Sequence, residues 1–422
     1  MQPQIKPPKS EVRLMGRPVP MWLAALVPLA ALGLLLSVFV FGNPLALFRS
    51  NIPPAENLSF ERIQVTQDGF RVTLVNSGPV PVTVTQVQVD QAYWGFSMTP
   101  SNTLPRLGRA KLDIHYPWVV GEPNVFRVLT SSGLTFDGLV EAAAPTPVPG
   151  LKQFLAYGLV GVYVGILPVM LGMLWYPAMR RLQHRWMGAI LSLTIGLLVF
   201  LLIDTVLEGL EVAGGLPGAF QGVPLLLFSS LLAWLVLVAV GSSGRGSAAD
   251  DPEKARLYLA GLIALGIGLH NLGEGLAIGA AFAVGAAALG SFLVVGFTLH
   301  NITEGIGIVA PLIPSRRDDT EAGRTAPDQA SPRWTRFAGL ALLAGAPAIA
   351  GAWIGGFAFT PILATIFLGL GAGAIWQVIV EVGRLLQRQG QRERTALVSW
   401  LNLVGFLAGL AIMYFTAFLV KV

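Results

Sequence analysis

His270-Asn271-Leu272-Gly273-Glu274-Gly275 and, thirty residues on, His300-Asn301-Ile302-Thr303-Glu304-Gly305 decide the fold of this chain. Both phrases are embedded in apolar sequence. An ionisable residue at the centre of a membrane span costs about 2.5 kcal/mol or more when unpaired, and this chain bears that cost twice, in the same order. Within each phrase the His and the Glu are four residues apart, so both fall on one face of a helix. Nitrogen and oxygen donors that converge in this way suit a divalent metal ion.

The two phrases are symmetric about position 287, between Gly285 and Gly290, where a short turn is expected. In an antiparallel helical hairpin, residues whose numbers sum to 574 share a depth. His270 is then level with Glu304, and Glu274 with His300. All four lie roughly 20–25 Å from the turn at 1.5 Å rise per residue, which places a site near the bilayer midplane.

Composition fixes the class. Hydrophobic residues make up 54% of the 422 and charged residues 12%, with a mean hydropathy of +0.65. A soluble domain carries about 25% charged residues, so the chain reads as an integral membrane protein. The net charge of +5 and pI of 9.6 do not argue for nucleic acid. The basic residues cluster between apolar spans, where the positive-inside rule accounts for them. With no cysteine, disulfides and thiolate ligands are excluded.

Outward from the phrases, the chain divides into five segments. Residues 1–20 form a basic tail with Lys6, Lys9, Arg13 and Arg17, and 21–42 an apolar run. That run is long for the 7–15 residues of a signal-peptide h-region, so it reads as an uncleaved anchor. Residues 57–142 switch to period-two alternation, as in Val82-Thr83-Val84-Thr85-Gln86-Val87-Gln88-Val89, with turn residues such as Asn76-Ser77-Gly78-Pro79 between runs. Six or seven short strands, an immunoglobulin-like β-sandwich, are expected, with Trp94, Phe96, Trp118 and Phe126 in its core and His115 a surface or packing residue. Residues 143–150, rich in proline, read as a stiff linker.

Residues 151–422 hold eight further apolar spans, near 153–177, 187–210, 221–241, 256–284, 288–313, 336–356, 360–386 and 396–420. Basic residues fall on alternate connections: Arg180, Arg181 and Arg185; Arg245, Lys254 and Arg256; Arg316, Arg317, Arg324, Arg333 and Arg336; Arg384, Arg388, Arg392 and Arg394. A cytoplasmic N-terminus makes all of these loops cytoplasmic and puts the sandwich and the C-terminus outside. The fold class is thus a membrane all-α bundle of eight helices plus one N-terminal anchor helix, with a small all-β sandwich. His184 belongs to one of the basic loops. The connection 314–335, with Arg316, Arg317, Asp318 and Asp319, is expected to be flexible.

The paired phrases resemble the fourth- and fifth-helix signatures of the ZIP family of divalent-metal transporters, closest to its bacterial GufA-like branch, which reads HNxPEG in both helices. The resemblance covers about 151–422. It implies a plasma-membrane transporter that moves a divalent metal ion toward the cytoplasm by alternating access, with a homodimer as a further implication. Asp204 and Glu208, at the end of the second span, resemble a family His-to-Glu pair, and Ala372-Gly373-Ala374 before Glu381 is a looser likeness. Three departures stand out. Gly273 and Thr303 replace the signature prolines, and Ala348 in Gly345-Ala346-Pro347-Ala348-Ile349-Ala350-Gly351 replaces a sixth-helix glutamate that bridges two metals in the family. One principal metal site is therefore expected.

The expected ligands are His270, Glu274, His300 and Glu304, with Asn271 and Asn301 as weaker carbonyl ligands or supporting donors. Imidazole and carboxylate favour Zn²⁺, then Fe²⁺, Mn²⁺ or Cd²⁺, as cargo rather than cofactor. Gly275, Gly279, Gly305 and Gly307 read as small residues that let helices approach. Asp204, Glu208 and Glu211 either gather cations at an entrance or are solvated helix-end charges. Glu381 is an interfacial charge, with an exit ligand as the alternative. Two rival functions are a non-transporting metal sensor and a membrane-embedded metal-dependent hydrolase. The hydrolase needs a general base beside a metal-bound water. His-Asn-x-x-Glu lacks the His-Glu-x-x-His of such enzymes, so no enzymatic activity is expected.

Overall fold

The computed structural model describes residues 12–14, 17–19, 21–42, 55–140, 142–182, 184–247, 252–283, 287–313, 334–393 and 399–421. The connection 314–333, Arg394, and the turn residues 284–286 lie outside them, as does the His184 side chain. The chain forms two compact units, Met1–Ala55 and Glu56–Val422.

In the first unit, β1 (Val12–Leu14) and β2 (Arg17–Val19) pair antiparallel within the basic tail. They lead into α1, Met21–Gly42. Its 22 residues extend about 33 Å at 1.5 Å per residue, enough for a hydrocarbon core of about 30 Å.

The second unit begins with the sandwich. One sheet is ordered β11 (Thr135–Val140), β10 (Asn124–Thr130), β5 (Val82–Val89) and β6 (Ala92–Trp94), with β8 (Thr103–Leu104) also on β5. The other is ordered β3 (Leu58–Thr66), β4 (Gly69–Asn76), β9 (Arg109–His115) and β7 (Phe96–Thr99). These are nine strands rather than six or seven, because β6, β7 and β8 are too short to show alternation. In β5 strict alternation would point Gln86 and Gln88 inward after Val82 and Val84. A register shift at Leu129/Thr130 of β10 resets the phase, so Val87 and Val89 are buried instead. Of the four aromatic residues expected in the core, Phe126 is fully buried. Trp94, Phe96 and Trp118 lie half-buried against the core. Phe70, Val72, Leu74, Leu112 and Ile114 fill the centre, since β4 and β9 are the inner strands of their sheet. His115 is exposed.

The linker is pinned to the sandwich. Thr146 N donates to Val65 O (2.9 Å), and Val65 N donates to Thr146 Oγ1 (2.9 Å). Arg62 then reaches from β3 to Phe357 O (3.2 Å) at the end of a membrane helix.

Among the described residues, eight helices long and apolar enough to cross a membrane follow. They are α2 (Leu151–Met179), α3 (His184–Gly214), α4 (Gly222–Ser247), α5 (Pro252–Ala283), α6 (Ala287–Val309), α7 (Trp334–Ala358), α8 (Pro361–Glu393) and α9 (Trp400–Lys421). Each matches an expected span. Trp353 Nε1 donates to Phe154 O (2.9 Å), which puts the start of α2 and the end of α7 at one end of the bundle, as an alternating path through six helices requires. The apolar window of α5 is 72% buried against 22% for α4 and for α9, so α5 is the central helix. Its closest partner is α7. A Cβ on Gly275 would stand 2.1 Å from Ala348 O and one on Gly279 2.3 Å from Ala352 O, so the backbones touch along a stripe of small residues. Gly305 meets Val169 O of α2 in the same way, at 2.2 Å.

Candidate metal centre

The site is built on α5 and α6. Residues 269–276 and 299–306 stay helical through both phrases, and i, i+4 spacing brings each His and Glu to one face. The hairpin puts these two faces together at the depths the numbering requires. Glu274 Oε1 accepts from His300 Nε2 across the pair, and from His270 Nε2 (3.1 Å) on its own helix. Ligand atoms of His270, His300 and Glu304 all lie within 4.8 Å of one another. The structure thus gathers all four expected ionisable residues, with Glu274 tying the two rings together. Phe297, one turn before His300, packs edge-on to its ring, with centroids 5.4 Å apart.

Each asparagine fastens its helix to a neighbour, and Asn301 does so at a proline-broken turn. In α2, Pro168 has no N–H to offer the carbonyl four residues back, Val164 O. The helix widens there into a π turn over Val162–Ile166, and Asn301 Nδ2 donates to Val164 O (3.1 Å). The same Nδ2 also donates to Glu274 Oε2 (3.0 Å). On the other side Asn271 Nδ2 donates to Ala344 O (3.0 Å) of α7, one turn before Pro347 inside that helix. Prolines absent from the two phrases therefore stand on the flanking helices. Thr303, at one of the signature proline positions, turns its hydroxyl back to His300 O (2.6 Å). Sequence reasoning missed the role of Pro168, although a proline inside an apolar span is itself a signal of freed carbonyls.

What the site lacks is as informative as what it holds. Seven buried side-chain polar atoms among the described residues have no partner, and four belong to the two phrases: Asn271 Oδ1, Asn301 Oδ1, Glu304 Oε1 and Glu304 Oε2. A buried carboxylate without hydrogen bonds carries a desolvation cost of several kcal/mol. All four orphaned atoms are oxygen donors. A cation supplies what such a set needs, and the N/O donor types fit a divalent transition metal.

A cavity of about 30 Å³, room for a water or two, leads away from His270 and Glu274. Asp204, Thr205 and Glu208 of α3 line it, with Phe297 and Phe367. Asp204 is half-buried and Glu208 exposed, so a line of carboxylates runs from the surface inward to the imidazoles. Glu211 is exposed and outside that lining. Glu381 does not join the cluster. It is buried in α8, where Arg384 (2.7 Å) and Gln377 (3.0 Å) donate to Oε1.

Ala348 lies at the contact of three helices. It is fully buried, its carbonyl faces Gly275, and its own Cβ is 2.8 Å from where a Cβ on Gly165 would stand. Its methyl offers no ligand atom where the resembling family carries a carboxylate.

No family model matches the chain, and no curated protein matches it. What fold and site define is a class: an integral membrane helical bundle with a buried His/Glu/Asn cluster and an appended β-sandwich.

Proposed function

We propose that the protein is a ZIP-like transporter that moves a divalent transition-metal ion, Zn²⁺ first among the candidates, toward the cytoplasm. The observation that carries this is the convergence of His270, His300 and Glu304 to within 4.8 Å on two helices that repeat one phrase, with Glu274 between the rings. The acidic cavity from Glu208 to His270 supports a path inward, along which the ion exchanges water for carboxylate and then for imidazole. Transport needs binding that is firm yet reversible, and a mixed His/Glu/Asn set meets that need better than four anionic ligands. Protonation of His or Glu as the ion leaves would favour its release. Ala348, which supplies no donor atom, supports one metal per chain. Glu381, neutralised by Arg384, is assigned no role in release.

The test is uptake of Zn²⁺, Mn²⁺, Fe²⁺ and Cd²⁺ into liposomes holding the purified protein, beside a His270→Ala, Glu304→Ala double variant. Saturable flux that the double variant loses supports transport. Metal binding without flux overturns it and leaves a sensor.

A further inference from the structure

A second concave site lies away from the metal centre, at the opposite end of the bundle from the sandwich. It is a groove of about 440 Å³ between α4, α5 and α7, within the 300–1,000 Å³ range of ligand sites. Its walls are Val240, Leu257, Leu262, Leu265, Leu340 and Leu343, with Lys254 and Tyr258 at one end. Val240 and Leu343 are 42% and 40% exposed, so the groove opens on the face that a bilayer covers.

Gly261 forms a section of the lining and has no packing reason to be glycine. A Cβ there would meet nothing within 4 Å, whereas Gly268, Gly275 and Gly279 of the same helix each touch neighbouring backbone. Glycine inside a helix costs about 1 kcal/mol relative to alanine. What the missing side chain provides at 261 is open volume. Tyr258 lies across the groove with its hydroxyl donating to Val240 O, and Lys254 is one turn further along the same face of α5. Arg256 is near in sequence, and Arg336 at the start of α7 pairs with Glu253, the residue before Lys254. An apolar slot open to lipid, ending in a basic side chain at the membrane boundary, is complementary to an acyl chain bearing a negative headgroup.

We propose that this groove holds one acyl chain of an anionic glycerophospholipid, with its phosphate at Lys254. The site is independent of the metal reading.

The experiment is native mass spectrometry of the full-length protein, extracted from vesicles of equal phosphatidylglycerol and phosphatidylcholine. The expected result is one phosphatidylglycerol retained per chain, at least tenfold over phosphatidylcholine. Gly261→Leu and, from the opposite wall, Leu343→Trp fill the groove and should each cut retention at least tenfold. Lys254→Gln should bring the two lipids to near parity. Retention unchanged in both groove-filling variants, or a preference unchanged in Lys254→Gln, overturns the proposal. So does a dimer that Gly261→Leu dissociates, because the occupant is then a second copy of the chain.

Discussion

Glu274 on α5 and His300 on α6 meet at matched depth, and the same carboxylate oxygen also takes His270. One oxygen thus sets the orientation of both imidazoles. Glu274→Gln keeps the shape but loses the charge, and should weaken Zn²⁺ binding roughly 10–100-fold or more, the range for groups that orient metal-binding histidines. His300→Gln should do the same. The double variant should be little worse than either single one, because residues that share one interaction are non-additive. Competition against a fluorescent chelator measures all three. Fully additive losses would show that the two side chains act separately.

Asn301 closes a carbonyl that Pro168 leaves open in α2. Asn301→Ala removes both its bonds, to Val164 O and to Glu274 Oε2, and strands a buried carbonyl, at a cost of about 1–3 kcal/mol. Pro168→Ala restores the missing N–H. It should therefore recover some of the lost thermal stability in the double variant while leaving Zn²⁺ affinity low. Melting temperature and metal titration on the same samples separate the two effects. Equal recovery of both would sink the assignment of Asn301 to two roles.

These relations mark how far the sequence could be read. The spacing of the two phrases placed Glu274 opposite His300, since helix rise and hairpin symmetry are properties of numbering alone. Gly275, Gly279 and Gly305 were legible as packing residues because glycine inside an apolar helix has few other uses. Asn301 on Val164 was not legible, because it depends on which helix stands beside α6. Phe70 was likewise missed in favour of Trp94, since strand order rather than residue size decides what is central in a sandwich. Val87 and Val89 turn inward only through a bulge at Thr85 that shows in the pairing with β10 and not in the residue pattern.

The sandwich carries its own pH dependence. Asp90, at a positive-φ corner (φ 50°), accepts Val125 N–H, Asn124 Nδ2 and the Tyr116 hydroxyl, each at 2.8 Å. Burial pushes its carboxyl up, and these bonds to the ionised form outweigh that, leaving it below the ordinary 3.8. With the folded value depressed, the unfolded chain binds more protons in acid. The stabilisation is therefore full above the ordinary value and lost as pH falls through the folded one. Amide-exchange protection of Val125, corrected for intrinsic rate, should be flat from neutral pH to about 5 and drop below 3.8. Asp90→Asn should lower it at neutral pH and flatten the acid limb. An unchanged acid limb in that variant would move the cause elsewhere.

The packing of α5 on α7 predicts opposite outcomes for neighbouring glycines. A methyl at Gly275 would stand 2.1 Å from Ala348 O, whereas one at Gly273 meets only Phe367 O, at 3.8 Å. Gly275→Ala must push the α5 and α7 backbones apart, an overpacking cost of about 1–3 kcal/mol or more. Gly273→Ala gains helix propensity of up to about 1 kcal/mol. Ala348→Glu extends the chain from a fully buried Cβ that faces Gly165 of α2, so the new carboxylate must be accommodated where α2 and α7 are already in close contact. It should lower the melting temperature and leave Zn²⁺ stoichiometry at one per chain or below. A stable Ala348→Glu protein that binds two ions would overturn both the packing account and the single-metal reading.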